Sequence, residues 1–565
     1  MVYVLADNII SPLGMSSDEN YHAVKSGHTA LRQYSDGMMI PETFTASLMS
    51  HDQKDGLRTD GMTPFEAMVT ASVKKALEEA TINLAHKRVV FVLSTTKGNI
   101  ELLLQDNEHQ DDLYLGTSAR HIADAVGIQT PPVVVCNACT SGGGAILLAS
   151  RLLECGFYDY AVVSGAECQS PFIVSGFQSL KALSPEACRP FDLERMGLNP
   201  GEAAATMVLG RKSLHGGCWA IKAGCVRNDA YHISAPSKNG EGAFLALKAI
   251  TEKEDLESLA FINAHGTATM FNDQMESVAI ERAGLGQVPV FGLKGYYGHT
   301  MGAAGILETI ISMKALDDET VLGTKGFDEL GVSGRVSLSS DNQHTDKKAF
   351  VKMLSGFGGG NVALWATQHQ ERDEQKLLHA FTVAHHVTIS PEGIWIDGIL
   401  WGDGGEGPSL LSEIYKKEIG DYPKYHKMDV LSRLGFAASE LLLNAEGKRT
   451  AEEREDRAVV FFNRSSSICA DKAYLETIAD KENYFPSPSL FVYTLPNIVT
   501  GEIAIRNHYL GETSFYVMDQ RDDDIMGKII QASFSDGMTK SILGGWLDYE
   551  DDEHFMADIF LYIVN

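Results

Sequence analysis

The stretch VVVCNACTSGGGAILLASRLL, from Val133 to Leu153, joins three β-branched residues to a helix-like pattern through two cysteines and three glycines. Val133, Val134 and Val135 read as a buried strand, and Ile146, Leu147, Leu148, Leu152 and Leu153 recur as one helical face. So short a passage from strand to helix is the repeating unit of an α/β sheet. Gly142, Gly143 and Gly144 remove side chains that would keep the helix start from packing on the strand or admitting a substrate. At the turn sits Cys139, expected at the sheet edge beside unpaired backbone N–H groups and the positive helix terminus, both of which favour a thiolate. Cys139 therefore reads as a nucleophile and Cys136 as strand core. CNAC has the spacing of a redox pair, but no second C-x-x-C follows, and a zinc site needs two more placed ligands.

The chain has 565 residues, 44% of them hydrophobic and 22% charged, with 53 glycines. That composition fits an α/β protein, and the length calls for two or three domains. A formal net charge of -28 argues against nucleic acid or an anionic membrane as main partner, since either requires a basic surface. No apolar run reaches spanning length, and MVYVLADNIISPLGMSSDEN lacks the basic flank of a secretory signal. A cytoplasmic location is expected. The eight cysteines follow no framework spacing, so reduced thiols are expected and no resident metal.

Partners for the nucleophile lie downstream. AHGTATMFND follows the strand-like SLAFIN, which sets His265 at a strand end among glycine and hydroxyl residues. LKGYYGHTMGAAGILE repeats the design after VPVFGL, with Lys294 and His299 in the loop and a small-residue helix ending at Glu308. A single strand-end histidine is more often structural than catalytic. Two in matching loops change that balance.

Residues 1–368 resemble an elongating β-ketoacyl-acyl carrier protein synthase, one of the thiolase-fold condensing enzymes. The resemblance rests on NACTSG at Cys139, RPFDLERMGLNPGEAA from Arg189, DAYHISAP from Asp229, AHGTAT at His265, KGYYGHTMGAAG at Lys294 and GFGGGN from Gly356. It implies a layered αβαβα fold of two similar halves, about 1–215 and 216–368. It also implies decarboxylative Claisen condensation of a malonyl-type extender, held on an acyl carrier protein, with an acyl thioester on Cys139. His265 and His299 would stabilise the enolate, and the backbone N–H groups of Cys139 and Phe357 the tetrahedral oxyanion. By the same likeness Lys294 and Glu308 form an ordering ion pair, and Thr267 and Thr269 bind the phosphopantetheine arm. That arm belongs to the carrier, so the chain needs no cofactor of its own. A degradative thiolase would need a second cysteine in its last glycine-rich loop, and a priming synthase an asparagine where His299 stands. Ala268, Gly295 and Ala203 depart from the family pattern and bear on the acyl tunnel.

Residues 369–565 echo the first half. KRVVFVLSTTKGNIELL at Lys87 is answered by DRAVVFFNRSSSICADKAYLETI at Asp456, and AMVTASVKKALEEA by MDVLSRLGFAASELLL. The segment from Leu495 to Trp546 tracks the one from about Ser118 to Gly165, an internal repeat. Gap-free matching puts Gln520 opposite Cys139, and no later histidine-bearing half follows. The segment resembles half of a chain-length factor, the inactive partner of type II polyketide synthases. Two function classes stand: an enzyme that elongates fatty acid, polyene or polyketide chains, and a non-catalytic scaffold for another ketosynthase. For assembly, the choice is a pseudo-dimer within the chain, with the Gln520 elbow facing the interface, or an ordinary homodimer.

Overall fold

Thr63 opens the first long helix with a reciprocal capping box to Glu66, and Pro64 sits at its first position, where a missing N–H costs nothing. That helix, α1 (Pro64–Glu79), lies in a first unit with α2 (Leu115–Val126), α3 (Ser141–Glu154) and strands β1 (Val2–Ile10), β2 (Val89–Ser94), β3 (Val133–Val135), β4 (Tyr160–Glu167) and β5 (Ala203–Gly210). The computed structural model describes residues 1–564 other than 36–38, 81, 85–87, 105–109, 213–218, 369–377, 448–451 and 481. The breaks expected after residues 215 and 368 adjoin or fall in two of these gaps, outside the described residues. The first sheet has the order β3-β2-β4-β5-β1, with β3, β2 and β4 parallel and β5 antiparallel to both neighbours.

The second unit contributes β6 (Trp219–Asn228), β7 (Leu259–Asn263), β8 (Pro289–Phe291), β9 (Ala349–Ser355) and β10 (Gly360–Gln368), with α4 (Glu241–Thr251), α5 (Met270–Arg282) and α6 (Ala304–Asp317). Its sheet runs β6-β10-β9-β7-β8, and Val2 and Tyr3 at the start of β1 pair with Ile221 and Ala220 of β6. Helices α3 and α6 pack on each other between the two sheets, while α1 lies outside the first and α4 outside the second. This is the expected five-layer α/β architecture. The pattern of α3 suggested one apolar face, yet Gly144 is its only residue that is not fully buried. A helix between two sheets has no water-facing side. Its crossing with α6 is close enough that a Cβ on Gly305 would come within 2.2 Å of the Gly143 nitrogen.

The third unit repeats the first. The strands that match are β11 (Phe381–Ser390), β12 (Arg457–Asn463), β13 (Thr513–Val517), β14 (Ser541–Tyr549) and β15 (Phe555–Val564), with α7 (Val430–Glu446), α8 (Pro488–Tyr493), α9 (Ile498–Asn507) and α10 (Asp523–Ser533) among the helices. The order β13-β12-β14-β15-β11 carries the same sequence of parallel and antiparallel contacts as the first sheet. The two sheets meet edge to edge: β3 and β13 pair antiparallel, Val135 with Tyr516 and Val134 with Val517. Gap-free matching makes Tyr516 the counterpart of Val135, so the junction lies on a pseudo-two-fold axis. It is extended by the Cys136 N–H donating to the Phe515 carbonyl at 3.1 Å and the Phe515 N–H donating to Asn137 Oδ1 at 2.7 Å. Behind it Arg151 of α3 meets Glu512 at 2.6 Å, both side chains buried.

Candidate active site

Cys139 stands in a single 3-10 turn, Ala138–Thr140, between β3 and α3. Ala138 before it takes a φ of 49°, a left-handed conformation costly for a residue with a Cβ and typical of a sharp, functional bend. The thiol is half-buried rather than open at the sheet edge. Burial pushes it up to about 12, with the Lys294 charge acting in the opposite direction. Burial thus opposes the thiolate that the turn and the Lys294 charge favour. The other described cysteines are also free thiols, and Cys136 is fully buried just beyond the strand.

β7 and the loop after it deliver His265. Glu276 of α5 accepts from the His265 and Gly266 N–H groups at 2.7 and 2.8 Å, so the loop is held from the helix below it. β8 leads to His299, whose N–H donates to the Asn199 carbonyl at 2.6 Å. The rings meet edge to face with centroids 4.9 Å apart. Cys139 Sγ and one ring nitrogen of each histidine all lie within 4.8 Å of one another. Met301 N–H donates to His299 Nδ1 at 3.2 Å, which leaves the ring hydrogen on Nε2; that atom is buried and unpaired. Lys294 Nζ faces His265 Nδ1 at 3.5 Å and selects the same tautomer. Both imidazoles are held well below their usual range, by burial first and then by the Lys294 charge. They are neutral imidazoles beside the sulfur. Cys139, His265 and His299 have the spacing of a metal triad, but the Lys294 ammonium beside His265 opposes a divalent ion there.

Lys294 and Glu308 form the expected buried ion pair. Glu308 lies in the second turn of α6, which runs on to Asp317, so the helix does not end there as the small-residue run suggested. The carboxylate also binds a second fully buried ammonium, Lys352 of β9, which sequence reasoning missed. Lys352 Nζ is surrounded by Asn263 Oδ1 at 3.2 Å and the Asn263 and Ala264 carbonyls at 3.4 and 3.1 Å. Burial lowers its proton affinity. A lysine alternating with apolar residues in AFVKMLS looks like an outward strand position, and only the sheet-to-helix contact reveals it as inward.

A cleft of about 370 Å³ leads to these residues, lined among others by Cys139, His265, His299, Thr267, Thr269 and Phe357. The two threonine hydroxyls lie 2.9 Å apart. Phe271, at its mouth, is 74% exposed. Beyond Cys139 a second, much smaller chamber of about 20 Å³ is lined by Ile173, Phe177, Met301, Phe357 and, from the third unit, Phe491, Thr494 and Leu495. Phe491 stacks edge-on against Phe177 with centroids 5.6 Å apart. Of the sequence departures, Gly295 has a local cause. A Cβ there would come within 2.3 Å of the Lys325 carbonyl oxygen; Ala268 takes a φ of 62°, where glycine would be less strained, and nothing in the structure explains Ala203, buried in β5.

Gln520 follows β13 at the place of Cys139 with its side chain exposed, while the elbow itself faces the first unit: a Cβ on Gly116 would come within 2.3 Å of the Asp519 nitrogen. There Asp519 accepts from Thr117 Oγ1 at 3.2 Å. Asp522 of the acidic run caps α10 by accepting from the Asp524 and Ile525 N–H groups.

Residues 6–215 match the family described as "Beta-ketoacyl synthase, N-terminal domain", and residues 219–328 match "Beta-ketoacyl synthase, C-terminal domain". The chain is 28% identical over 409 residues to 3-oxoacyl-[acyl-carrier-protein] synthase 2 of Vibrio cholerae, covering 64% of this chain and 98% of that protein. It is 34% identical over 261 residues to the enzyme of the same name from Rhizobium meliloti, covering 42% and 61%. Among solved structures, the ketosynthase ApeO in complex with its chain length factor ApeC from Xenorhabdus doucetiae aligns with a TM-score of 0.56 at 25% identity, over 65% of this chain and 98% of that one. A PfaC keto synthase-chain length factor structure aligns over 100% of this chain and 78% of its own with a TM-score of 0.79; at 13% identity this is a likeness of fold. With both family domains matched in order around the Cys139, His265 and His299 cluster, the chain belongs to the β-ketoacyl synthase family of condensing enzymes.

Proposed function

We propose that this chain extends an acyl chain by decarboxylative Claisen condensation, with residues 1–368 as the working ketosynthase. The observation that carries the reading is the convergence of one thiol and two neutral imidazoles within 4.8 Å. In the first step Cys139 Sγ attacks the thioester carbonyl of an acyl group on the phosphopantetheine of an acyl carrier protein. The S–C bond to the carrier breaks, and the Cys139 proton passes to the departing carrier thiolate. A malonyl-type extender on a second carrier then loses carbon dioxide. The electron pair of the broken C–C bond becomes an enolate whose oxygen accepts from His265 and His299 Nε2–H. The enolate carbon attacks the acyl carbonyl, and collapse of the tetrahedral oxyanion expels Cys139 as thiolate, which regains a proton from water. The N–H groups of Cys139 and Phe357 would hold that oxyanion. Lys294, Glu308 and Lys352 order the loops, and Thr267 and Thr269 line the route of the phosphopantetheine arm.

Acyl carrier protein is the proposed partner, a fatty acid, polyene or polyketide chain the product, and the cytoplasm the location, with no cofactor beyond the carrier's arm. Residues 369–565 serve as a non-catalytic pseudo-protomer; the β3–β13 edge pairing supports that arrangement over a homodimer. The scaffold reading is thus reserved for this segment. Mass spectrometry after incubation with acyl carrier should show acylation of the wild type and of His299→Ala but not of Cys139→Ala. Malonyl decarboxylation should persist in Cys139→Ala and fall about 10²- to 10³-fold in His299→Ala. A Cys139→Ala protein that condenses normally would sink the assignment.

A further inference from the structure

The catalytic thiol and the loop from Gly356 to Asn361 belong to the first two units, yet the third unit grips that loop. Asn497, just before α9, donates from Nδ2 to the Phe357 carbonyl at 2.8 Å. The opposite amide orientation would set two oxygens against each other, so the pairing itself assigns the donor. Asn497 is 5% exposed, and its Oδ1 has no partner. A buried amide left half-satisfied is a cost that calls for an explanation.

The surroundings are built for this contact. Gly358 takes a φ of 88°, and a Cβ there would come within 2.6 Å of Asn497 Nδ2. A Cβ on Gly501 of α9 would come within 2.5 Å of the Gly358 carbonyl oxygen. Asn228 Nδ2 donates to both the Gly358 carbonyl and Thr513 Oγ1, at 2.8 and 3.0 Å. On its other side the loop lies on the nucleophile, where a Cβ on Gly356 would be 3.2 Å from the Cys139 nitrogen. Phe357 separates the entrance cleft from the small inner chamber and lines both.

We infer that Asn497 is a positioning residue for the reaction: by holding the Phe357 carbonyl, the catalytically silent third unit sets the loop that completes the acyl-thioester side of the active site. The inference rests on the ketosynthase reading. It assigns the third unit a role in acyl transfer and condensation, through Phe357, and none in decarboxylation, which uses the histidine pair.

The test uses the full-length chain with an acylated and a malonyl-loaded carrier protein. Asn497→Asp keeps the shape but removes the donor while ionised, and Asn497→Ala removes it altogether. Both should transfer acyl groups to Cys139 and condense roughly tenfold to hundredfold more slowly in kcat, with KM for the carrier within about twofold of wild type. In a Cys139→Ala background, adding Asn497→Asp should leave malonyl decarboxylation unchanged. Because a protonated carboxyl can donate to the Phe357 carbonyl, activity of Asn497→Asp relative to wild type should recover as pH falls from about 8 to about 6. Asn497→Asp that melts like wild type and transfers at the wild-type rate across that range overturns the inference, as does equal loss of transfer and decarboxylation. If the wild type itself takes no acyl group on Cys139, it is the ketosynthase reading that fails.

Discussion

The protonation states of three side chains govern the chemistry. With its proton affinity raised by burial, the Cys139 thiol should react with iodoacetamide at a rate that keeps rising past about pH 9. A plateau near about 8.5, as for an ordinary thiol, would contradict the buried site. The histidines act with the opposite sign. His265 and His299 stay neutral in the folded chain well below their usual range, whereas the unfolded chain protonates them below about 6.5. The unfolded state then binds more protons, so stability declines as pH falls below that value, by about 1.4 kcal/mol per pH unit for each histidine. Thermal melts across that window should show a shallower decline in His299→Asn than in wild type. An unchanged slope would mean the imidazole is not held neutral.

Between elements, the decisive contact is α8 against the helix Pro171–Ser179 of the first unit. A Cβ on Gly176 would fall 2.0 Å from the Phe491 ring, so the glycine exists for the aromatic to enter. Phe491 thereby closes the inner chamber beside Cys139, and α8 caps the space that an acyl chain would occupy. Phe491→Ala should enlarge that space at a cost of about 3–5 kcal/mol in stability. Competition between short and long acyl carriers, read as the mass added to Cys139, should shift toward the longer chain. An unaltered ratio in a folded variant would show that the chamber does not select chain length.

At the level of the whole molecule, β13 occupies the edge of β3 that a second copy would otherwise use. Tethering raises the local concentration of the third unit into the millimolar range, above that of any free competitor. Light scattering should therefore find the full chain monomeric. A chain ending near Ala366, with the β3 edge and the part of α3 that meets α10 and Glu512 uncovered, should dimerise or aggregate. A full-length homodimer joined through β3 would refute the internal pairing.

The elbow at Cys139, the loops of His265 and His299, and the repeat within residues 369–565 were all legible in the chain, because each is a local pattern: a strand run, a turn residue, a helix start. Matching the two elbows without gaps also placed Gln520 opposite Cys139, but the edge pairing of Tyr516 with Val135 came only with the structure. What the sequence could not supply depends on neighbours far along the chain. Lys352 becomes part of the site only because β9 lies beside β7 under Glu308. Burial pushes the Cys139 thiol up, a desolvation that no nearby residue encodes. Asn497 reaches Phe357 across 140 positions, and Gln520 turns outward although its counterpart is the nucleophile. Local periodicity specifies which elements form; water exclusion and long-range contact decide which side chains act, because both arise only when distant segments share one interior.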